Sequence, residues 1–195
     1  MKKVEILAQR RIADAFFKLD EAKLRHELRD GSMSAPMDRL NLERGDGVAA
    51  LVYHPQREVL VFVRQFRYPA YLHDGPGWLV ELPAGMLDHD EEPVDCMRRE
   101  IREETGYAVG HIKPVSTFYL SPGGSSERIH LYYAEIDPLQ PRRAGGGLAN
   151  EQEDIELIEL PLSEAWRQLD AGAFVDAKTI IALQWMRAQR LSSSP

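Results

Sequence analysis

One stretch of the chain, residues 85–107, limits what the protein can fold into more than any other. Pro93 suits the first turn of a helix, where its missing N–H is harmless, and Gly106 suits the left-handed position that ends one. Between them, Met97 and Ile101 lie at helical spacing and form an apolar stripe. The sequence therefore predicts an amphipathic helix that packs on a core through this stripe.

The same helix carries three glutamates, Glu100, Glu103 and Glu104, which share one face because they lie at positions i, i+3 and i+4. Carboxylates placed this closely repel one another. Most glutamate-rich turns are solvated surface, and that ordinary interpretation applies here too. Hard cations such as Mg²⁺ prefer oxygen ligands and would remove the repulsion. Arg99 is placed to hold one carboxylate by a forked hydrogen bond.

The complete pattern of residues 85–107 favours a metal site over a solvated surface. It reads GMLDHDEEPVDCMRREIREETGY, and its glycines, glutamates and arginine match every invariant letter of the Nudix box, the signature of the Nudix hydrolase family. The one departure is Tyr107, where the family usually has an aliphatic residue. So many letters at set spacing make the match specific. With the features described below, the resemblance extends from about residue 4 to about residue 189.

The resemblance implies an α+β fold, the α/β/α sandwich of the Nudix family with a mixed β-sheet. The apolar runs 48–53 and 59–63 predict a central hairpin that is buried on both faces. Residues 72–77 are predicted to form a loop. Ser163 and Asp176 are predicted to cap the last two helices.

Three segments are predicted along the chain. Residues 1–43 form an N-terminal antiparallel β-strand arm, because loosely alternating apolar residues end at a turn and are too few to close a core. The arm resembles the small strand domain that ADP-ribose pyrophosphatases exchange across a homodimer. Residues 44–190 form the Nudix hydrolase domain, and residues 191–195 form a disordered tail.

The charge and composition of the chain limit the kinds of partner that it can bind. A formal net charge of −7 argues against nucleic acid, which requires a basic face. No run is apolar and long enough to predict a membrane span, and the N-terminus lacks the apolar region of a secretory signal. Cys96 is the single cysteine, which excludes an internal disulfide and fits a cytoplasmic protein.

The resemblance also assigns roles around the box. Mg²⁺, with Mn²⁺ as a substitute, is expected on an all-oxygen site. The implied ligands are Glu100, Glu103, Glu104 and the backbone carbonyl of Ala84. Arg99 is implied in the catalytic set as the residue that orients a carboxylate.

A first loop outside the box bears on the sugar. Residues 121–127 read SPGGSSE, and taken alone they are an ordinary turn between strands. The run resembles the marker of Nudix enzymes that act on ADP-ribose. That resemblance implies that Glu127, together with Ser126, hydrogen-bonds a ribose hydroxyl.

A second loop, residues 144–154, reads AGGGLANEQED. Its ordinary interpretation is a solvated acidic loop. It resembles the mobile catalytic loop of ADP-ribose pyrophosphatases, which implies Glu151 as the general base and Glu153 as a partner of metal or water. An offset of two residues leaves the two roles exchangeable. The glycine triplet suits a lid that swings.

Two arginines are candidate diphosphate contacts. Most arginines that leave a buried strand serve solubility, but the family match favours Arg67, and Arg44 is a second candidate. A forked guanidinium suits phosphate oxygens. The aromatic ring expected to stack on the base is left open among Phe16, Phe17 and Tyr68.

Three functions follow from these patterns. The first is Mg²⁺-dependent hydrolysis of ADP-ribose to AMP and ribose 5-phosphate. The second is hydrolysis of GDP-mannose or another nucleotide sugar, because the AGGG loop and the chain length also resemble the related Nudix enzyme that hydrolyses GDP-mannose. The third is a nucleotide-sugar sensor without activity, which would be expected to lose box carboxylates that this sequence keeps.

Overall fold

The computed structural model describes residues 2–148 and 153–192, and the chain divides into two compact units. The smaller unit holds the chain up to Asp46 and the segment Tyr119–Arg128. The larger unit holds Gly47–Phe118 and the chain from Ile129 onward. Sequence analysis placed residues 44–46 and 119–128 in the Nudix domain, so the smaller unit is larger than the predicted arm.

The smaller unit is built on a three-stranded antiparallel sheet in the order β1-β2-β3. Its strands are β1 (Val4–Asp14), β2 (Lys18–His26) and β3 (Met37–Glu43). Arginines and carboxylates face each other across β1 and β2, as in the pair Arg10–Glu21 at 2.6 Å. The predicted antiparallel arm is confirmed.

Hydrogen bonds to β3 explain why a segment from the middle of the chain joins this unit. The Leu42 N–H donates to the Gly124 carbonyl at 2.8 Å, and the Ser125 hydroxyl donates to the Leu42 carbonyl at 3.0 Å. The Ser126 N–H donates to that same carbonyl at 3.3 Å. Such pairing is long-range, so local sequence patterns do not reveal it.

The larger unit contains a seven-stranded mixed sheet in the order β10-β5-β4-β9-β8, with β6 added on β5 and β7 on β4. β4 runs antiparallel to β5 and parallel to β9. The strands are β4 (Gly47–His54), β5 (Val59–Phe66), β6 (Trp78–Glu81), β7 (Ala84–Met86), β8 (Val109–Tyr119), β9 (Arg128–Ile136) and β10 (Glu156–Pro161).

Alternate residues of β4 pack on opposite layers. Leu51 lies in an apolar cluster with Leu183 of α4, whereas Val52 lies in a second cluster with Ile101 of α2. Because side chains of a strand point alternately to the two faces, helices cover both sides and bury β4 almost completely. The α/β/α sandwich is confirmed. The helices are α1 (Tyr68–Asp74), α2 (Pro93–Thr105), α3 (Leu162–Asp170) and α4 (Ala177–Ser192).

Two local predictions are wrong. Part of the predicted loop 72–77 belongs to α1, which a proline in its first turn favours. α3 begins at Leu162 after Pro161, without a side-chain cap, so Ser163 lies inside the helix. Strand β10 ends at Pro161 and passes directly into α3, which leaves no separate cap position for Ser163.

The last helix follows its predicted start and exceeds its predicted end. The Thr179 N–H donates to Asp176 Oδ2 at 3.0 Å, which confirms the cap. α4 continues through Ser192, so the predicted disordered tail does not begin at 191, and residues 193–195 lie outside the described residues. No helix in the described part of the chain is long and apolar enough to cross a membrane.

Candidate active site

Helix α2 presents the box carboxylates as the sequence predicts. Pro93 occupies its first turn, and Gly106 ends it with a φ of 75°. Met97 and Ile101 are fully buried in the cluster beneath the sheet, which fixes the rotation of the helix about its axis. The glutamates of the last turns are therefore held on a defined face.

Strand β7 lies directly against that face. The Ala84 N–H donates to Glu104 Oε2 at 3.1 Å. A Cβ on Gly85 would lie 2.1 Å from Glu100 Cδ, so only glycine leaves room for that carboxylate. These contacts bring together three of the predicted site residues. The role of the Ala84 carbonyl as a metal ligand stays a prediction.

Arg99 binds three carboxylates at once. Its Nε and Nη2 donate to the two oxygens of Glu91 at 3.1 and 2.9 Å, the fork that is typical of guanidinium–carboxylate pairs. Its Nη1 donates to Glu100 Oε1 at 2.8 Å and to Glu103 Oε2 at 3.0 Å. The hydrogen bond from Arg99 lowers the pKa of Glu91. Arg99 thus orients carboxylates, as the sequence predicted.

Glu104 is the most perturbed acid of the site. Its residue is 3% exposed. Burial raises its pKa well above the usual value, the charges of Glu100 and Glu153 add to the increase, and the Ala84 N–H and the charge of Arg67 oppose it. Burial likewise raises the pKa of Glu100, although Arg99 opposes that shift. Strong perturbation of neighbouring acids is a mark of functional sites.

These residues fit a hard divalent cation. Buried carboxylates of like charge are stabilised when a cation enters among them, and the donor set consists of oxygens. Within residues 2–148 and 153–192, no three acidic, His or Cys side chains converge closely enough to hold an ion as they stand. Arg99 binds one oxygen of Glu100 and one oxygen of Glu103, and the second oxygen of each carboxylate could bind a cation.

Arg67 lies in a different setting from the one expected of a free diphosphate contact. Its Nη2 donates to Glu81 Oε2 at 2.8 Å, and its Nε approaches both carboxylate oxygens at 3.2 and 3.3 Å. Glu81 is only 3% exposed. Sequence analysis missed Glu81, although an acid that ends the apolar strand β6 is an unusual feature that indicates a buried partner.

The acidic loop contributes one described carboxylate. Glu153 Oε2 accepts the Leu148 N–H at 3.1 Å. Its charge contributes to the raised pKa values of Glu100 and Glu104. Glu151, the predicted general base, lies outside the described residues.

The remaining predicted site residues meet in the smaller unit. Arg44 Nη1 lies 3.5 Å from Glu127 Oε1, and its guanidinium carbon is 5.3 Å from the centroid of the Phe17 ring. The Ser126 hydroxyl donates to Glu43 and accepts a hydrogen bond from a side-chain amide. Glu127 is 9% exposed. Arg44 therefore pairs with Glu127, whereas Ser126 bonds to side chains of β3.

Comparison with known proteins decides the family. A family model described as the NUDIX domain matches residues 43–183. The chain belongs to the Nudix family. It is a Nudix hydrolase, and enzymes of this family generally use divalent metal ions.

Relatives of this Nudix hydrolase span nearly its whole length. The GDP-mannose pyrophosphatase of Pectobacterium atrosepticum is 38% identical over 182 residues, 93% of this chain and 92% of that protein. The GDP-mannose pyrophosphatase of Escherichia coli is 35% identical over 191 residues, 97% of this chain and 98% of that protein. A crystal structure of an ADP compounds hydrolase superposes with a TM-score of 0.75 at 18% identity, over 98% of this chain and 96% of the other. The last likeness concerns the fold.

Proposed function

We propose that this Nudix hydrolase cleaves the diphosphate bond of a nucleoside diphosphate sugar, and that GDP-mannose is its substrate. The observation that carries the proposal is the pair of acids on one face of α2, the buried Glu104 and the half-buried Glu100, whose pKa values are both raised by burial. The relatives named GDP-mannose pyrophosphatase, at 35–38% identity over most of both chains, support the choice of sugar nucleotide.

Mg²⁺ is the proposed cofactor, with Mn²⁺ as a substitute. Glu100, Glu103 and Glu104 would hold it, with the Ala84 carbonyl beside them. When bound, the cation supplies positive charge that offsets the carboxylates and the diphosphate. Arg99 keeps the carboxylates oriented through its contacts with Glu91, Glu100 and Glu103.

The proton of the attacking water needs an acceptor. Glu153 is proposed for this role, because the Leu148 N–H donates to its Oε2 and holds the carboxylate in place. Glu151 is the alternative acceptor, as its position in the loop implies. Attack of water at one phosphorus breaks the bond to the bridging oxygen, and GDP-mannose would give GMP and mannose 1-phosphate.

ADP-ribose is the second candidate substrate. Residues 121–127 resemble the marker of enzymes that act on it, and within the smaller unit Arg44 pairs with Glu127 while Ser126 bonds to Glu43. We propose these three residues, and Arg67, as substrate contacts, so that their substitution would raise KM more than it lowers kcat. The identity of the sugar and of the base in the substrate can be tested directly.

The test is a Mg²⁺-dependent hydrolysis panel with GDP-mannose, ADP-ribose, ADP-glucose and a nucleoside triphosphate, each with and without a chelator. We expect the highest kcat/KM with GDP-mannose and no turnover when the metal is removed. A preference for ADP-ribose would keep the chemistry and overturn the proposed sugar. Tight binding without turnover of any compound would favour the sensor.

We further propose a homodimer in the cytoplasm. The N-terminal sheet carries exposed apolar side chains, among them Ile6 at 62% and Leu40 at 53% exposure, and a second copy would cover them. Cys96 is a free, buried thiol, which suits a reducing compartment. Light scattering on the purified chain tests the dimer, and a mass of one chain would contradict it.

A further inference from the structure

Residues 142–147, which we name the glycine clasp, run across the carboxyl end of α2. The Gly146 N–H donates to the Glu104 carbonyl at 2.8 Å, and the Gly147 N–H donates to the Glu103 carbonyl at 3.2 Å. The last carbonyls of a helix have no partners within the helix. Here the clasp supplies donors to the two residues whose side chains belong to the predicted metal site.

Two more bonds continue the same contact. Arg142 Nε donates to the Thr105 carbonyl at 2.9 Å, and the Arg143 N–H donates to the Gly106 carbonyl at 2.9 Å. The carbonyls of residues 103, 104, 105 and 106 thus each accept a hydrogen bond from the clasp. A segment bonded at consecutive positions is anchored to the helix end in this conformation.

Gly145 is required by this close approach. A Cβ at this position would lie 2.6 Å from the Thr105 carbonyl carbon and 2.7 Å from the Glu104 oxygen and the Gly106 nitrogen. All three are backbone atoms of the helix end, which cannot turn aside as a side chain would. Any larger residue at 145 must therefore lift the clasp from the helix.

The anchored segment also holds Glu153. The Ile155 N–H donates to the Gly146 carbonyl at 3.3 Å, and the Leu148 N–H donates to Glu153 Oε2 at 3.1 Å. A Cβ on Gly147 would lie 2.5 Å from that same oxygen. The Glu153 carboxylate therefore occupies space that is open only because residue 147 is glycine.

We propose that the glycine clasp is a positioning device that fixes the Glu153 carboxylate relative to the helical turn that carries Glu103 and Glu104. The clasp binds the backbone of the same helical turn that carries the box acids. The position of Glu153 relative to these acids is therefore set by the end of α2. The inference rests on the proposed function for its catalytic meaning. Gly145 and Gly147 are positioning residues, because they contact other parts of the protein and act through Glu153.

The test is a double-mutant cycle between Gly145→Ala and Glu153→Gln. If the clasp acts through Glu153, the two substitutions are coupled and the double variant is no slower than Glu153→Gln alone. We expect Gly145→Ala alone to lower kcat by about tenfold or more and to change KM by less than about twofold, since it removes orientation and spares binding. Independent effects that multiply in the double variant would overturn the proposal, as would an unchanged kcat.

A matched glycine provides the control. Gly110 lies in β8, and a Cβ there would meet Asp137 Cβ at 3.7 Å, an ordinary contact. Gly110→Ala is expected to keep the wild-type kcat. Should Gly145→Ala fail to fold, Gly147→Ala displaces the Glu153 carboxylate and leaves residue 145 in place, so the same cycle can be run with it.

Two readouts do not need turnover. The amide of Gly146 should be protected from hydrogen exchange in the wild type and exposed in Gly145→Ala. Mn²⁺ affinity, measured by electron paramagnetic resonance, should stay near the wild-type value in Gly145→Ala and in Glu153→Gln, because the cation is assigned to Glu100, Glu103 and Glu104. If no nucleotide sugar is hydrolysed, the proposed function fails but these measurements still decide the clasp. A Gly146 amide that stays protected in Gly145→Ala would refute it. A loss of Mn²⁺ affinity in that variant would refute it too, because the substitution would then act on the metal site and not through Glu153.

Discussion

The N-terminal sheet and helix α2 both combine arginines with carboxylates, yet they do so in opposite ways. In the sheet a charged group meets one or two partners near the surface, as in Arg10–Glu21 at 2.6 Å and in Glu5, which meets Lys3 at 2.8 Å and Arg25 at 2.7 Å. In α2 a single guanidinium serves three carboxylates, and Glu104 is buried and accepts a backbone N–H.

The comparison distinguishes charges that form ion pairs at the surface from charges that are placed to bind a ligand. Exposed pairs gain little because water solvates each partner well and salt screens them. Buried acids of like charge cost folding stability, and natural proteins accept such costs where function needs them. The α2 acids should therefore matter greatly for activity and little, or unfavourably, for stability.

The largest expected effect follows from Glu104→Gln. It removes one ligand charge from the centre of the site, and we expect kcat to fall by about a thousandfold, or about 4 kcal/mol of transition-state stabilisation. The metal-free variant should melt at the wild-type temperature or above it, since a buried charge is lost. Steady-state kinetics and calorimetry check both parts. Glu92→Gln, an exposed acid at the start of α2, is the control; full activity of Glu104→Gln would break the comparison.

A smaller loss of activity is expected when Arg99, whose guanidinium binds three carboxylates, is replaced. Arg99→Lys keeps the charge but cannot form the fork on Glu91 while reaching two other carboxylates, and we expect activity to fall by roughly 10- to 100-fold. Arg98→Lys is the matched control, because within residues 2–148 and 153–192 Arg98 bonds only to the backbone carbonyls of residues 109 and 110. Equal activity of the two variants would remove the orienting role.

The raised pKa of Glu104 predicts a dependence of stability on pH. Between the ordinary value of about 4.3 and the raised value, the folded state binds more protons than the unfolded state, so the free energy of unfolding falls as the pH rises. The metal-free wild type should therefore fall progressively below Glu104→Gln in Tm as the pH increases from about 5. Parallel curves for the two proteins would contradict the assignment.

Metal addition should reverse that loss. At a tenfold excess over Kd, a cation that binds only the folded state adds about 1.4 kcal/mol, or about 3–6 °C in Tm for a chain of this size. The increase should be smaller in Glu104→Gln and should vanish with a chelator. Equal increases in both proteins would place the cation elsewhere.

The smallest effect is expected in the N-terminal sheet. Replacing both Arg10 and Glu21 with Ala removes an exposed pair, and neither kcat nor Tm should change measurably. Thermal melts and kinetics of the double variant check this. A clear loss of activity would show that the two regions do not differ as described.

The sequence predicted α2 almost completely, because its signals are local. Pro93, the apolar stripe and Gly106 set the helix, and the stripe fixes which side the glutamates face. The buried strand pair β4 and β5 was equally clear from its continuous apolar runs. These features depend on neighbours within a few positions, which a single sequence displays directly.

The sequence did not reveal contacts between residues that are distant along the chain. No local pattern pairs Arg67 with Glu81 or carries the segment 121–126 to β3. Tyr107, the departure from the box, donates its hydroxyl to Glu159 and accepts from Arg57, a contact that an aliphatic residue could not make. Such pairs are set by the tertiary fold.

The most direct test of the account is a Mn²⁺ titration of the wild type and of Glu104→Gln, followed by isothermal calorimetry. We expect saturable binding to the wild type and affinity at least about tenfold weaker in the variant, since one ligand charge is gone. Equal affinity in the two proteins would mean that the α2 carboxylates do not hold the cation, and the central claim would be wrong.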